Sequence, residues 1–224
     1  MDISKSKDIL DYWFSKGLYT PDYDKWFMKS QDYDEEIKEK FGDLLKEAEE
    51  GKGFSWLHTK DSYVAHIILL DQFSRHIYRG SGDSFKNDNG CMLFVELGWK
   101  MYCNQLKGYE FMFAFMPYMH TENLTYQKKG KTIFYIQKNL YGTQHFHKRK
   151  LTNPKDTSHI TSIEPTKYDK EYTMLKSMEP HLEGHLRTIE IFGRFPKRNK
   201  DLGRESTTPE ISYMESPEVK KRPY

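Results

Sequence analysis

Apolar residues recur every three or four positions along most of this 224-residue chain, and that spacing suits one kind of regular structure. Ile37, Phe41, Leu44, Leu45 and Ala48 form one stripe of an amphipathic helix. Ile9, Tyr12 and Trp13 repeat the pattern, as do Val64, Ile67, Ile68 and Phe73, then Met92, Val95 and Trp99, and later Tyr172, Leu175, Leu182, Leu186 and Ile189. Strict alternation of apolar and polar residues, the mark of a half-buried strand, makes no convincing segment. About eight helices joined by mostly short connections predict an all-α domain of antiparallel helical hairpins. No clean thirty-four-residue repeat accompanies them, so periodicity alone does not make the chain a regular solenoid.

Turn and cap residues set the expected boundaries. Thr20-Pro21-Asp22 reads as a turn before Trp26 and Phe27. Asp32, Asp34, Glu35 and Glu36 fall in the first turns of the next helix, where the helix dipole favours acids, and Gly51 and Gly53 end it. A helix is predicted from about Thr59 to His76, another from Asn87 or Asp88 to near Gly108, and a buried one from Tyr109 to Met116 that stops around Pro117. Leu124 to Leu140 is a further amphipathic segment. From Tyr141 to Lys167 the periodicity lapses, and this stretch reads as a long solvated loop inserted into the domain. Thr208-Pro209-Glu210 starts a last short helix, proline being favoured at the first helical position. The chain is therefore expected to form one helical domain over 1–215, with a charged tail at 216–224.

Bulk composition narrows the function classes. Thirty-five basic residues nearly cancel thirty-three acidic ones, leaving a net charge of +2, which gives no bulk case for binding nucleic acid or membrane. Hydrophobic residues make up only 37%, but aromatics reach 15%, enough to build a core of few large side chains. No run approaches eighteen apolar residues and no leader pattern opens the chain, so a soluble, cytoplasmic protein is expected. Cys91 and Cys103 lie roughly 18 Å apart if they share one helix, too far for a disulfide. The basic stretch from Gln144 to Lys155 lacks an ordered aromatic platform, and nucleic-acid binding is not expected from it.

Three segments place charged groups beside strongly apolar ones. In Asp71-Gln72-Phe73-Ser74-Arg75-His76-Ile77-Tyr78-Arg79-Gly80, Asp71 and Arg75 sit four apart and can pair along one helical face. Two guanidinium groups at a helix end suit a phosphate or carboxylate, which arginine binds through parallel hydrogen bonds; a structural Asp–Arg pair with a capping arginine explains the same residues. In Pro117-Tyr118-Met119-His120-Thr121-Glu122, His120 and Glu122 at a helix corner are an acid–base or metal-binding pair, or a histidine bonded to backbone, and Thr121 is a candidate cap for the helix that follows. The third segment holds His181 and His185, then Arg194-Phe195-Pro196-Lys197-Arg198-Asn199 and Gly203-Arg204-Glu205-Ser206-Thr207. Four-residue spacing puts the two histidines on one helical face. The arginine-rich turn suits an anion cradle, and its interleaved Phe192, Phe195 and Pro196 imply packing onto the core. No Gly-x-Ser-x-Gly elbow, phosphate loop or His-Glu-x-x-His motif is present, so no familiar hydrolase or nucleotide enzyme is indicated.

The same segments resemble the bacterial family called domain of unknown function 924. Its Asp-Gln-Phe-x-Arg-Asn-x-Tyr-Arg-Gly signature is similar to Asp71–Gly80, its Pro-x-x-His-Ser-Glu corner to Pro117–Glu122, and its Arg-Phe-Pro-His-Arg-Asn and Leu-Gly-Arg-x-Ser-Thr stretch to Arg194–Asn199 and Leu202–Thr207. Ile9-Leu10-Asp11-Tyr12-Trp13-Phe14 and Trp26-Phe27 resemble its opening. The resemblance covers roughly Ile9 to Met214, apart from the loop. His76 and Lys197 depart from the pattern, which puts a family-wide proton-transfer role at those positions in doubt.

The resemblance implies an all-α, tetratricopeptide-like array with degenerate repeats and names no reaction. It marks Asp71, Arg75, Arg79, His120, Glu122, His185, Arg194, Arg198, Asn199 and Arg204 as characteristic positions. If the segments converge, His120, Glu122, His185 and Asp71 are the candidate catalytic groups. Arg75, Arg79, Arg194, Arg198, Asn199 and Arg204 are then the ligand-binding ones, for a small anionic ligand. No metal is assigned and no cofactor specified. The alternatives are a peptide- or protein-binding scaffold and an internal polar network that locks the helices.

Overall fold

The computed structural model describes residues 1–151 and 167–220, except the side chains of 144–151, 167, 168, 218 and 220. Among the described residues there are eleven α-helical segments and no strand. They are α1 (Lys5–Trp13), α2 (Tyr23–Phe27), α3 (Gln31–Glu49), α4 (Lys60–Ile67), α5 (Ser74–Ile77), α6 (Asp88–Tyr102), α7 (Tyr109–His120), α8 (Leu124–Leu151), α9 (Lys167–Phe192), α10 (Thr208–Glu215) and α11 (Pro217–Lys220). The excess over eight comes mainly from the short α2, α5 and α11, too brief to show a periodic stripe.

Helix α7 organises the rest. Phe111, Met112, Phe113, Ala114, Phe115, Tyr118 and Met119 are all buried, so this helix has no solvated face and must be wrapped. Helices α4, α6, α8 and α9 contact it. Trp13 and Trp26 set their ring edges against Phe113 at 5.4 and 5.0 Å, Trp99 packs on Phe111 at 5.9 Å, and Phe134 of α8 packs on Phe115 at 5.7 Å. Full burial of each such ring stabilises the fold by about 1.5–3 kcal/mol.

Two expected boundaries are corrected. Helix α7 does not stop at Pro117 but runs on to His120 with the proline inside it. Burial of Tyr118 and Met119 holds the last turn helical past the missing N–H, and the Pro117 carbonyl accepts the Thr121 N–H at 3.1 Å. The expected loop from Tyr141 is helical to Leu151, because α9 supplies a partner surface: Tyr172 packs against buried Gly142. From 152 to 166 the loop lies outside the described residues, as do all the side chains of the basic stretch from Gln144 to Lys155.

Two smaller differences matter locally. Helix α6 ends at Tyr102 rather than near Gly108. The start of α8 is served by Asn123, whose Oδ1 accepts from the backbone of Thr125 and Tyr126, rather than by Thr121.

Between α4 and α5 the backbone widens into a π-helical stretch, Ile68–Phe73, entirely buried, with Thr59 capping the whole run through Ser62. Such stretches are often found at functional sites. This one carries Asp71.

Candidate functional site

Asp71 is fully buried in the π-helical stretch and faces the last turn of α7. Its carboxylate accepts from His120 Nδ1 at 2.7 and 2.9 Å and from Gln72 Nε2 at 2.5 Å. Burial by itself would raise this carboxyl. The Arg75 charge, the neighbouring His120 and the two hydrogen bonds outweigh it and hold the group well below the usual carboxylate range. With Nδ1 so held, His120 presents Nε2, which makes no hydrogen bond among the described residues. Its side chain keeps 12% of its surface exposed.

Arg75 lies one turn beyond Asp71. Its Nη1 donates to the Asp71 carbonyl at 2.8 Å, and its Nη2 sits 3.5 Å from the Asp71 carboxylate and 3.0 Å from Asp88 Oδ1. Asp88, the first residue of α6, also accepts from Arg198 Nη1 at 2.8 Å, so one buried carboxylate joins two guanidinium groups. Arg198 Nη2 donates to the His120 carbonyl at 2.9 Å, and its planar head lies between Phe85 and Phe195 at 4.4 and 4.6 Å. Desolvation lowers the Arg198 pKa, partly offset by Asp88. His185 of α9 stands 6.2 Å from the His120 ring and 5.4 Å from Phe195. Burial, with His120 and Arg198 nearby, pushes it down to about 3, so it is neutral near pH 7.

The segment after α9 is fastened to the corner after α7. Glu122 accepts the Phe195 N–H at 2.8 Å and a bidentate pair from Arg204 at 2.7 and 3.0 Å. Burial would raise Glu122, but Arg204, the Phe195 N–H and Arg198 bring it below its ordinary value. Gly193, at φ 68°, ends α9 and turns the chain back, a backbone shape that favours glycine. Further out, Arg194 grips Glu210 of α10 at 2.7 and 2.9 Å, and Asn199 donates to Ser206 and Glu210.

The three motif segments therefore meet. Asp71, Arg75, His120, Arg198 and Asp88 form one connected group, and Glu122 with Arg204 adjoins it through Phe195 and the His120–Glu122 corner. Arg194 and Asn199 serve a neighbouring clamp on α10. Arg79 falls elsewhere: it holds Asp34 of α3 at 2.5 and 2.8 Å, together with His76, whose Nδ1 is 2.7 Å from the same carboxylate. No hydrogen bond or ion pair joins that trio to the Asp71 group among the described residues. Sequence reading missed Asp88, treated only as a helix start, and Phe85, because their partners are distant in the chain.

Beside Arg198 opens a cleft of about 580 Å³, lined among others by Asp83, Phe85, Asp88, Glu122, Asp201 and Leu202. Chemically, the group combines an oriented imidazole with a solvent-reaching Nε2, two guanidinium groups and a neutral second imidazole. That set can bind an anionic group and exchange one proton with it.

No helix among the described residues is long and apolar enough to cross a membrane. No curated protein matches the chain. A solved structure described as a protein of unknown function, ATU0120 from Agrobacterium tumefaciens, is similar at 25% sequence identity with a TM-score of 0.68, covering 95% of this chain and 97% of that one. A family model described as bacterial protein of unknown function, DUF924, matches residues 9–218, and the chain belongs to that family.

Proposed function

We propose that the chain binds a small ligand bearing a phosphate or carboxylate at the Asp71–His120–Arg198 group, and that His120 exchanges a proton with it. One observation carries this reading: His120 is tethered through Nδ1 to a fully buried carboxylate while its Nε2 makes no hydrogen bond among the described residues. A buried Asp fixes the imidazole tautomer and orientation, the arrangement that suits a general acid or base. Arg198 adds a donor of its own, since among the described residues only its Nη atoms are used and its Nε makes no hydrogen bond.

A second reading has its own support. Each of the five arginines already holds a carboxylate of the chain: Arg75 and Arg198 on Asp88, Arg79 on Asp34, Arg194 on Glu210, Arg204 on Glu122. An internal lock would look the same. The tetratricopeptide-like scaffold draws support from one helical hairpin. Along α8, Lys131, Tyr135 and Lys138 meet Glu183, then Glu179, of α9 in reverse order, so the two helices run antiparallel.

A thermal-shift series against phosphate, phosphate esters and carboxylates separates these readings. A site occupied at one hundred times its dissociation constant stabilises by about 2.7 kcal/mol, which for a chain of this size raises Tm by roughly 5–10 °C. The shift should disappear in His120→Gln and fall in Arg198→Lys, each still melting cooperatively. A flat response in the wild-type protein leaves the lock as the better account.

A further inference from the structure

The cleft beside Arg198 is not uniformly cationic. Six charged side chains line it: carboxylates from Asp83, Asp88, Glu122 and Asp201, and cations from Lys86 and Arg198. Most are already satisfied. Asp88 is held by Arg75 and Arg198, Glu122 by Arg204, and Lys86 by Glu49 at 3.0 Å. Asp83 and Asp201 differ. Both are exposed, and among the described residues neither carboxylate takes a hydrogen bond or an ion pair. They belong to two loops pressed together at the cleft: a Cβ on Gly82 would lie 2.7 Å from the Asp201 carbonyl.

The lining is therefore polarised. At the buried side stands Arg198, whose Nη atoms serve Asp88 and the His120 carbonyl and whose Nε makes no hydrogen bond among the described residues. At the exposed side stand two unpaired negative charges. A simple anion would reach Arg198 past both carboxylates and be repelled on the way. A molecule carrying an ammonium group as well would satisfy both ends, and the two carboxylates would attract it to the mouth.

We propose that the ligand is zwitterionic, with a phosphate or carboxylate directed to Arg198 and an ammonium group held between Asp83 and Asp201. This rests on the anion-binding reading above and adds the second charge. It also assigns specificity to Asp83 and Asp201, which lie outside the characteristic motif positions.

Matched probes test it on the full chain by isothermal titration calorimetry. Phosphoethanolamine is compared with ethyl phosphate, and β-alanine with propionate, so that each pair differs by the ammonium group and the two pairs distinguish phosphate from carboxylate. In the wild-type protein the ammonium-bearing member of at least one pair should bind tenfold or more tightly than its partner. In the exposed double variant Asp83→Asn/Asp201→Asn that ratio should fall to near one, while ethyl phosphate or propionate binds as well as before or better. Equal binding within both pairs, or a preference that survives the double variant, overturns the zwitterion and leaves the anion site standing. No binding by any of the four probes at millimolar concentration overturns both.

Discussion

Asp88 shows how much one side chain carries here. It is 7% exposed and its two oxygens serve Arg75 and Arg198 separately. Replacing it by asparagine leaves a buried guanidinium short of its counter-charge. The expected cost is about 3–5 kcal/mol, read as a lowered urea midpoint at unchanged slope; a loss below 1 kcal/mol would mean that water or Asp71 takes over.

Buried histidines make a second residue-scale prediction. Desolvation lowers His66, wedged between Trp56 and Phe94, to about 4, and His185 to about 3. In the unfolded chain each titrates near 6.5. Between those values the unfolded state binds a proton that the folded state refuses, so stability falls as pH drops from about 6.5 towards 4. For His66 the loss approaches about 3 kcal/mol by pH 4. The lowered Asp71 and Glu122 act in the same sense further down, their stabilisation being present above the unfolded carboxylate range and lost as pH falls through the folded values. Urea unfolding at pH 7, 6, 5 and 4 should show this decline, with a shallower slope in His66→Gln; an unchanged slope would show that His66 is not the group responsible.

At the scale of one helix, α6 offers two glycines with opposite expected behaviour. A Cβ on Gly98 would come within 2.3 Å of the Tyr63 ring, which is fully buried and stacked on Phe94. Gly98→Ala should destabilise by about 1–3 kcal/mol through overpacking, despite alanine's better helix propensity. Gly90 meets nothing within 4 Å, so Gly90→Ala should stabilise by up to about 1 kcal/mol. Thermal melts of the pair check both signs, and two shifts in the same direction would refute the packing account. Helix α10 is a simpler element. Thr207 and Glu210 form a reciprocal capping box; the start at Thr208-Pro209-Glu210 was legible in the sequence, but the cap was not.

Across the whole molecule, the chain after α9 acts as a strap. Arg198 and Arg204 reach back to Asp88 and Glu122, more than eighty residues earlier. A chain ending at Phe192 would leave Glu122 without Arg204 and Asp88 with Arg75 alone, a penalty of about 3–5 kcal/mol for the stranded carboxylate. That is a large part of the stability of a typical domain. The truncated protein should lose its cooperative thermal transition by circular dichroism; a melt within a few degrees of the intact chain would show the strap to be dispensable.

The sequence by itself determined the helical class, because burying one face of a helix demands apolar spacing that most of the chain displays. It also determined the family, through ordered motifs at Asp71–Gly80, Pro117–Glu122 and Arg194–Thr207, and one local pair, Asp71 with Arg75, since four-residue spacing fixes neighbours on a helix. It misjudged Pro117 and the start of the loop at Tyr141. In both places burial against other helices overrode a local signal. Which carboxylate meets which arginine was decided only in three dimensions. Asp34 with Arg79 and Asp88 with Arg198 are contacts between distant segments, and no spacing rule links residues whose proximity is set by how helices pack. The same holds for the His120–Asp71 tether and for the two unpaired carboxylates at the cleft mouth: one-dimensional pattern gave the residue types, and the packing of α7 against the π-helical stretch gave them their partners.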